Sequence, residues 1–156
     1  MKINVVAVGN IKEKYLLDAL REYVKRISRF HTINIIEVDE EKLPKNYSIA
    51  DISKTLVKEG QRIEKNLHGY IVALDIKGVQ IDSVELSKTI EKASMSFDTI
   101  TFVIGGSYGL SEEIKNKANL RLSISKMTFP HQLFRVMLLE QIYRACTIAN
   151  NIIYHK

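Results

Sequence analysis

Ile100-Thr101-Phe102-Val103-Ile104-Gly105-Gly106-Ser107-Tyr108-Gly109-Leu110-Ser111-Glu112-Glu113 is the stretch on which the fold turns. Its first five residues are all β-branched or aromatic and uncharged, the composition of a short strand buried on both faces. The glycines end that strand. Ser111, placed ahead of Glu112 and Glu113, reads as the N-cap of a helix with an acidic first turn. A strand, a tight loop and a helix in this order form half of a parallel βαβ unit, so the rest of the chain should repeat the alternation.

It does. Ile3 to Val8, Ile33 to Val38, Tyr70 to Leu74 and Leu120 to Ile124 are further Val- and Ile-rich runs, which makes five strands in all. Between them, Lys12 to Phe30 carries Tyr15, Leu16, Ala19, Leu20, Tyr23, Val24 and Ile27 at helical spacing. Ile52 to Leu67 and Val84 to Phe97 show weaker versions of that pattern, the latter with Ser83 as its expected N-cap. The alternation predicts an α/β protein with a mainly parallel sheet flanked by helices on both faces. Residues 1 to 156 read as a single domain without internal repeats, and Asp39 to Ser48 is the only linker-like piece.

Composition sets the outer limits. With 156 residues, 46% hydrophobic and 26% charged, the chain can bury a core without staples. The apolar start ends at Gly9 and is followed by Lys12, Glu13 and Lys14, unlike a secretion signal. No stretch approaches the roughly 20 apolar residues of a spanning helix. Cys146 is the one cysteine, so no internal disulfide forms and the thiol reads as an inert core residue. A cytoplasmic protein is expected. One cysteine and four scattered histidines offer no metal-ligand spacing.

Charge is concentrated at the end of the chain. From Arg121 to Lys156, five cations (Arg121, Lys126, Arg135, Arg144, Lys156) face the single carboxylate Glu140, so this segment holds four of the five formal positive charges. A basic field of this kind attracts polyanions without choosing among RNA, DNA and acidic membrane. The same segment contains Leu133 to Ile148, a helix apolar on nearly every side. One sheet face cannot cover it, which points to a homodimer; burial between a sheet and a second helix of the same subunit is the alternative.

Ligands of open α/β sheets bind beyond the carboxyl ends of the strands. Three loops fall there: Leu74-Asp75-Ile76-Lys77-Gly78, Gly105 to Leu110, and Ser125-Lys126-Met127-Thr128-Phe129-Pro130-His131. The glycine loop has the spacing G-G-x-x-G instead of G-x-G-x-x-G, and Glu112 and Glu113 would repel a pyrophosphate at the following helix. It suits either a plain tight turn or a ligand without phosphate.

Taken together, FVIGGSYG (Phe102 to Gly109), SISKMTFPHQLFRVMLLEQIYRA (Ser123 to Ala145), YHK (Tyr154 to Lys156) and LDIKG (Leu74 to Gly78) closely resemble the bacterial 23S ribosomal RNA pseudouridine N3-methyltransferases. The resemblance covers essentially the whole chain and is weakest from Asp39 to His68. It places the chain with the SPOUT class and implies a C-terminal trefoil knot, which strand pattern alone does not predict. It further implies S-adenosylmethionine held by Leu74, Gly105, Ile124, Ser125, Lys126, Met127, Thr128 and Phe129. The implied reaction methylates N3 of a pseudouridine in the intersubunit stem-loop of 23S rRNA, on assembled ribosomes, by a homodimer with shared active sites.

The accepting nitrogen carries a proton that must leave. His131 or His155 is expected to take it or to stabilise the imide anion, helped by Arg135 or Arg144; the alternative is that solvent takes it, His131 fixing a turn and His155 meeting a phosphate. Arg135, Arg144, Tyr154, His155 and Lys156 are candidate RNA contacts. Lys12, Lys14, Arg21, Lys25, Arg26 and Arg29 could extend that footprint. A nucleotide-binding oxidoreductase module and a non-catalytic ribosome-associated factor are the two rival functions.

Overall fold

The computed structural model describes residues 1–156. Five strands, β1 (Lys2–Val8), β2 (Thr32–Val38), β3 (Tyr70–Gln80), β4 (Thr99–Ile104) and β5 (Leu120–Ser123), form one sheet in the order β2-β1-β4-β3-β5. Every strand pairing is parallel. The helices α1 (Lys14–Ile27), α2 (Ile49–Glu64), α3 (Ser83–Ser94), α4 (Glu112–Lys117) and α5 (His131–Ala149) cover it.

Alternation along the strands divides the core into two layers. Ile3, Val5 and Ala7 of β1 join Phe102, Val72 and Leu122 on one face, packed beneath Leu16 and Leu20 of α1, Leu86 and Ile90 of α3, and Leu138, Leu139 and Ile142 of α5. Val6 and Val8 turn the other way, toward Val103, Ala73, Ile63 of α2 and Ile114 of α4. Because both faces are covered, β4 is buried at all six positions, which is why it reads as an unbroken apolar run. The crossovers α1 and α3 move the chain one way along the sheet over the first face, and α2 and α4 move it back over the second. A single crossover hand requires that division.

Local chemistry sets most helix starts. Ser48 and Asp51 form a reciprocal capping box that begins α2. Ser111 caps α4 by accepting the Ile114 N–H at 3.3 Å. Ser83 does not cap α3: Asp82 does, in a capping box with Glu85, and Ser83 is the first helical residue. A carboxylate that accepts the Glu85 N–H at 2.8 Å is the better partner for a helix N-terminus.

β3 departs most from expectation. It runs to Gln80, well past Leu74, because Leu74 and Val79 both lie opposite Leu122 of β5 and the residues between them bulge outward. Asp75 Oδ1 accepts the Lys77 N–H at 3.1 Å and fixes the bend. Gly78 lets the chain return to the sheet, since a Cβ there would stand 2.6 Å from the Arg121 carbonyl oxygen.

After β5 the chain crosses the carboxyl edge and re-enters the first face as α5, packed against α1 and α3. Much of the apolar surface of α5 is thereby covered within the chain: Val136, Leu138, Leu139, Ile142, Ala145 and Cys146 are buried. Leu133 is exposed, and Phe134, Met137 and Tyr143 are half-buried.

Candidate active site

The three loops singled out in the sequence meet at the carboxyl edge of the sheet. β4 lies on one side of β3 and β5 on the other, so the loops after β4 and β5 face each other across the β3 bulge. Between them is a cavity of about 500 Å³, within the usual range for a small-molecule site. Leu74, Gly105, Ile124, Ser125, Met127, Thr128 and Phe129 all line it, and Lys126 does not. Lys126 is exposed.

Each wall has a physical cause. Gly105 is buried and hugs the turn that follows it, where Gly109 donates its N–H to the Gly106 carbonyl at 3.0 Å. A Cβ on Gly105 would come within 2.3 Å of the Gly109 oxygen, so only glycine closes this wall. The opposite wall, Ile124 to Phe129, is ordered by Ser125 and Ser123. Ser125 Oγ accepts the Met127 N–H at 3.0 Å, and its carbonyl accepts the Ser123 hydroxyl at 3.0 Å. Phe129 stacks on Phe134 with ring centroids 6.4 Å apart, which ties this wall to α5.

Several lining residues were not singled out individually from sequence. Lys115 of α4 reaches the cavity and stands 3.5 Å from Asp75 Oδ2, the two side chains being 18% and 8% exposed. Tyr108 lines the rim. Asp75 lay in a loop already marked, but no spacing rule links it to Lys115, forty residues on. The carboxylates of α4 pair with cations of their own helix, Glu112 with Lys115 at 3.5 Å and Glu113 with Lys117 at 3.8 Å.

The candidate catalytic residues are distributed over three places. His131, the first residue of α5, lines the cavity. Arg135, one turn later, is 1% exposed and outside the cavity lining. Its guanidinium donates to Glu37 Oε2 at 2.7 Å and to the Gly9 carbonyl at 3.1 Å, so a phosphate would have to displace Glu37 to reach it. Arg144 and His155 sit together at the far end of α5.

There the tail folds back on the helix. Tyr154 donates to Glu140 Oε1 at 3.1 Å and packs edge-on against Tyr143 at 4.9 Å. Arg144 pairs with Glu140, lies 4.8 Å above the Tyr154 ring, and places Nη1 3.3 Å from His155 Nδ1. Burial, then the bond to Glu140, pushes the Tyr154 phenol up to about 12. Glu140 thus neutralises part of the terminal positive charge, whereas Lys126, His155 and Lys156 remain exposed.

Comparison with known proteins agrees with this architecture. The family model described as "Predicted SPOUT methyltransferase" matches residues 1–155. A protein of Methanococcus vannielii is 55% identical over the full length of both chains. "Ribosomal RNA large subunit methyltransferase H" of Clostridium botulinum strain 657 is 52% identical, again over all of both chains. Among solved structures, a "Probable Methyltransferase" from Bordetella pertussis Tohama I aligns with a TM-score of 0.57 at 12% identity, covering 92% of this chain and 95% of that one. At that identity the likeness concerns the fold alone.

Proposed function

Because the chain belongs to the SPOUT methyltransferase family, we propose that it methylates N3 of a pseudouridine in the intersubunit stem-loop of 23S rRNA, using S-adenosylmethionine, on assembled ribosomes and as a homodimer. The observation that carries the reading is the cavity at the carboxyl edge, where Leu74, Gly105 and, apart from Lys126, the run from Ile124 to Phe129 converge from three separate loops. The Clostridium botulinum relative, a ribosomal RNA large subunit methyltransferase identical at 52% of positions, supports a large-subunit RNA target.

The residues present suit this donor. The lining mixes apolar side chains such as Leu74, Ile124 and Phe129 with polar ones such as Asp75, Lys115 and Ser125, and at Gly105 the backbone of Gly109 packs where a Cβ would clash. When bound, S-adenosylmethionine would supply a methyl carbon already activated on a sulfonium. The chain's part is chiefly to hold donor and base in line. Backbone groups at Leu74, Gly105 and Ile124 to Phe129 fix the donor, and Lys115 and Asp75 offer a cation and an anion for its amino-acid end. The His131 imidazole takes the N3 proton as the new N–C bond forms, and Arg144, Tyr154, His155 and Lys156 of the paired subunit engage RNA. Arg135 holds the start of α5, and with it His131, in place.

The knot belongs to the same reading. It is supported by α5 returning to pack against both α1 and α3 after the loop that follows β5.

The test is methyl incorporation into ribosomes from a strain lacking the gene, with the modified stem-loop read by mass spectrometry, alongside donor binding by calorimetry. Donor binding without incorporation would favour a non-catalytic ribosome-associated factor. A rate unchanged by His131→Ala and by His155→Ala, after normalising for RNA binding, would leave the proton to solvent.

A further inference from the structure

The segment from Asp39 to Ser48 read as a linker, yet it is strapped to the body of the protein. Glu59 of α2, 4% exposed, accepts the Glu41 N–H at 3.1 Å. Arg62 donates to the Asp39 carbonyl at 3.0 Å and pairs with Glu41, as does Lys58. Ser48 closes the far end through its capping box. α2 itself abuts the glycine loop, because Gly60 packs so near Ser111 that a Cβ would stand 2.9 Å from its hydroxyl oxygen.

The strap ends at the cavity mouth. The Tyr108 and Tyr47 hydroxyls are hydrogen-bonded at 2.6 Å, and the rings meet edge to face at 6.1 Å. Tyr108 lines the cavity, and the two rings remain 44% and 47% exposed. Two large aromatic rings held half in water by an anchored loop bury little surface, so their placement adds little to the core. Opposite them, across the cavity, lies the Phe129–Phe134 stack. Glu41 is paired with Arg62 and Lys58, and Lys42 and Lys45 are exposed on the same strap, as are the carboxylates Asp39 and Glu40 at its start.

We propose that Tyr108, held by Tyr47 on a strap bearing Lys42 and Lys45, is a second RNA-contacting surface, stacking on an unpaired base at the cavity mouth while the lysines meet the adjoining phosphates. Interleaved aromatic rings and cations are what single-stranded RNA requires: π-faces for bases and positive charge for the backbone. The rim position assigns the ring to the base rather than to the proposed donor, whose expected contacts Gly105 and Leu74 are buried. The inference rests on the proposed RNA substrate but not on catalysis.

The experiment measures binding of a fluorescein-labelled single-stranded oligouridylate by anisotropy and, in parallel, of S-adenosylmethionine by calorimetry. Tyr108→Ala weakens oligouridylate binding about tenfold, as loss of one stacked base predicts, and leaves donor affinity within about twofold. Tyr108→Phe and Tyr47→Phe, which keep the rings and lose the hydroxyl bond, stay within about threefold of the parent. Replacing Lys42 and Lys45 with alanine reduces the slope of log affinity against log salt by about 1.4, roughly 0.7 for each phosphate lost on a single strand. Oligouridylate that does not bind, or that binds Tyr108→Ala as it binds the parent, overturns the proposal. So does a Tyr108→Ala protein that loses donor affinity instead. Failure of the parent to bind the donor sinks the proposed function while this RNA measurement still decides the inference.

Discussion

Arg135 and Glu37, 98 residues apart in sequence, are joined at 2.7 Å, and the same Glu37 oxygen accepts the Ile11 N–H at 3.2 Å. With the bond from Arg135 to the Gly9 carbonyl, this links the first turns of α5 to the carboxyl ends of β1 and β2. The helix that begins with His131 is thereby held against the sheet edge. The arginine side chain is 1% exposed and the glutamate 44%, so the glutamate can leave water cheaply but the arginine cannot be left unpaired. Glu37→Ala is expected to cost about 2 kcal/mol in urea denaturation, as for a hydrogen bond to a charged group. Adding Arg135→Met should restore most of that loss, because an apolar side chain of similar volume needs no partner. Simple addition of the two losses would show that the pair is not coupled.

Gly105→Ala is expected to fold less stably and to bind S-adenosylmethionine at least tenfold more weakly. The added methyl meets the Gly109 oxygen at 2.3 Å, and the only relief is movement of the turn that forms the cavity wall. Overpacking of this kind costs roughly 1–3 kcal/mol. Calorimetry checks the affinity, and an unchanged value would mean that the donor does not use this wall.

Glu59→Gln should raise the urea midpoint at pH 7. Burial holds the Glu59 carboxyl above its usual range. A group raised on folding contributes stability below its unfolded pKa and loses it as the pH climbs through the folded value. At neutral pH the native protein therefore carries a buried carboxylate at a cost, and glutamine keeps an acceptor for the Glu41 N–H without the charge. The gain should vanish near pH 4 or below, where the parent is itself protonated. A gain that persists in acid would point to a packing effect.

Tyr154 is expected to be among the last tyrosines to ionise. Its phenol is raised to about 12 by burial and by Glu140, so its contribution to tail docking is complete below pH 10 and disappears between pH 10 and 12. Tyrosinate absorbance of the protein, less that of Tyr154→Phe, should titrate near the upper end of that window. A difference curve centred near pH 10 would mean that the tail is not docked in solution.

The strands and helices were largely legible because their signals are local. β4 is buried on both faces and so has no polar position to break its run, and Ser111 lies in its capping register. Asp82 was overlooked because serine and aspartate compete for the same cap and only backbone geometry chooses between them. The bulge in β3 left little trace: Asp75 and Lys77 resemble the end of a strand unless it is known that β5 resumes pairing at Val79. Of the candidate site, Leu74, Gly105 and the stretch from Ile124 to Phe129 were named from the residues that carry the family resemblance, and all but Lys126 line the cavity. Arg135 appeared to be a free cation, since nothing in the sequence connects it with Glu37.

By itself, then, the sequence determined which segments are strands, which are helices, and that the loops after β3, β4 and β5 share one edge, since periodicity and capping act within a few residues. Only the tertiary structure decided which charges are spent on partners and which remain for a ligand. Arg135 carries the same formal charge as Lys42 and Lys45, but it is buried against Glu37, and the two lysines face water. Coulomb interactions depend on distance in space, and folding fixes that distance without regard to separation along the chain.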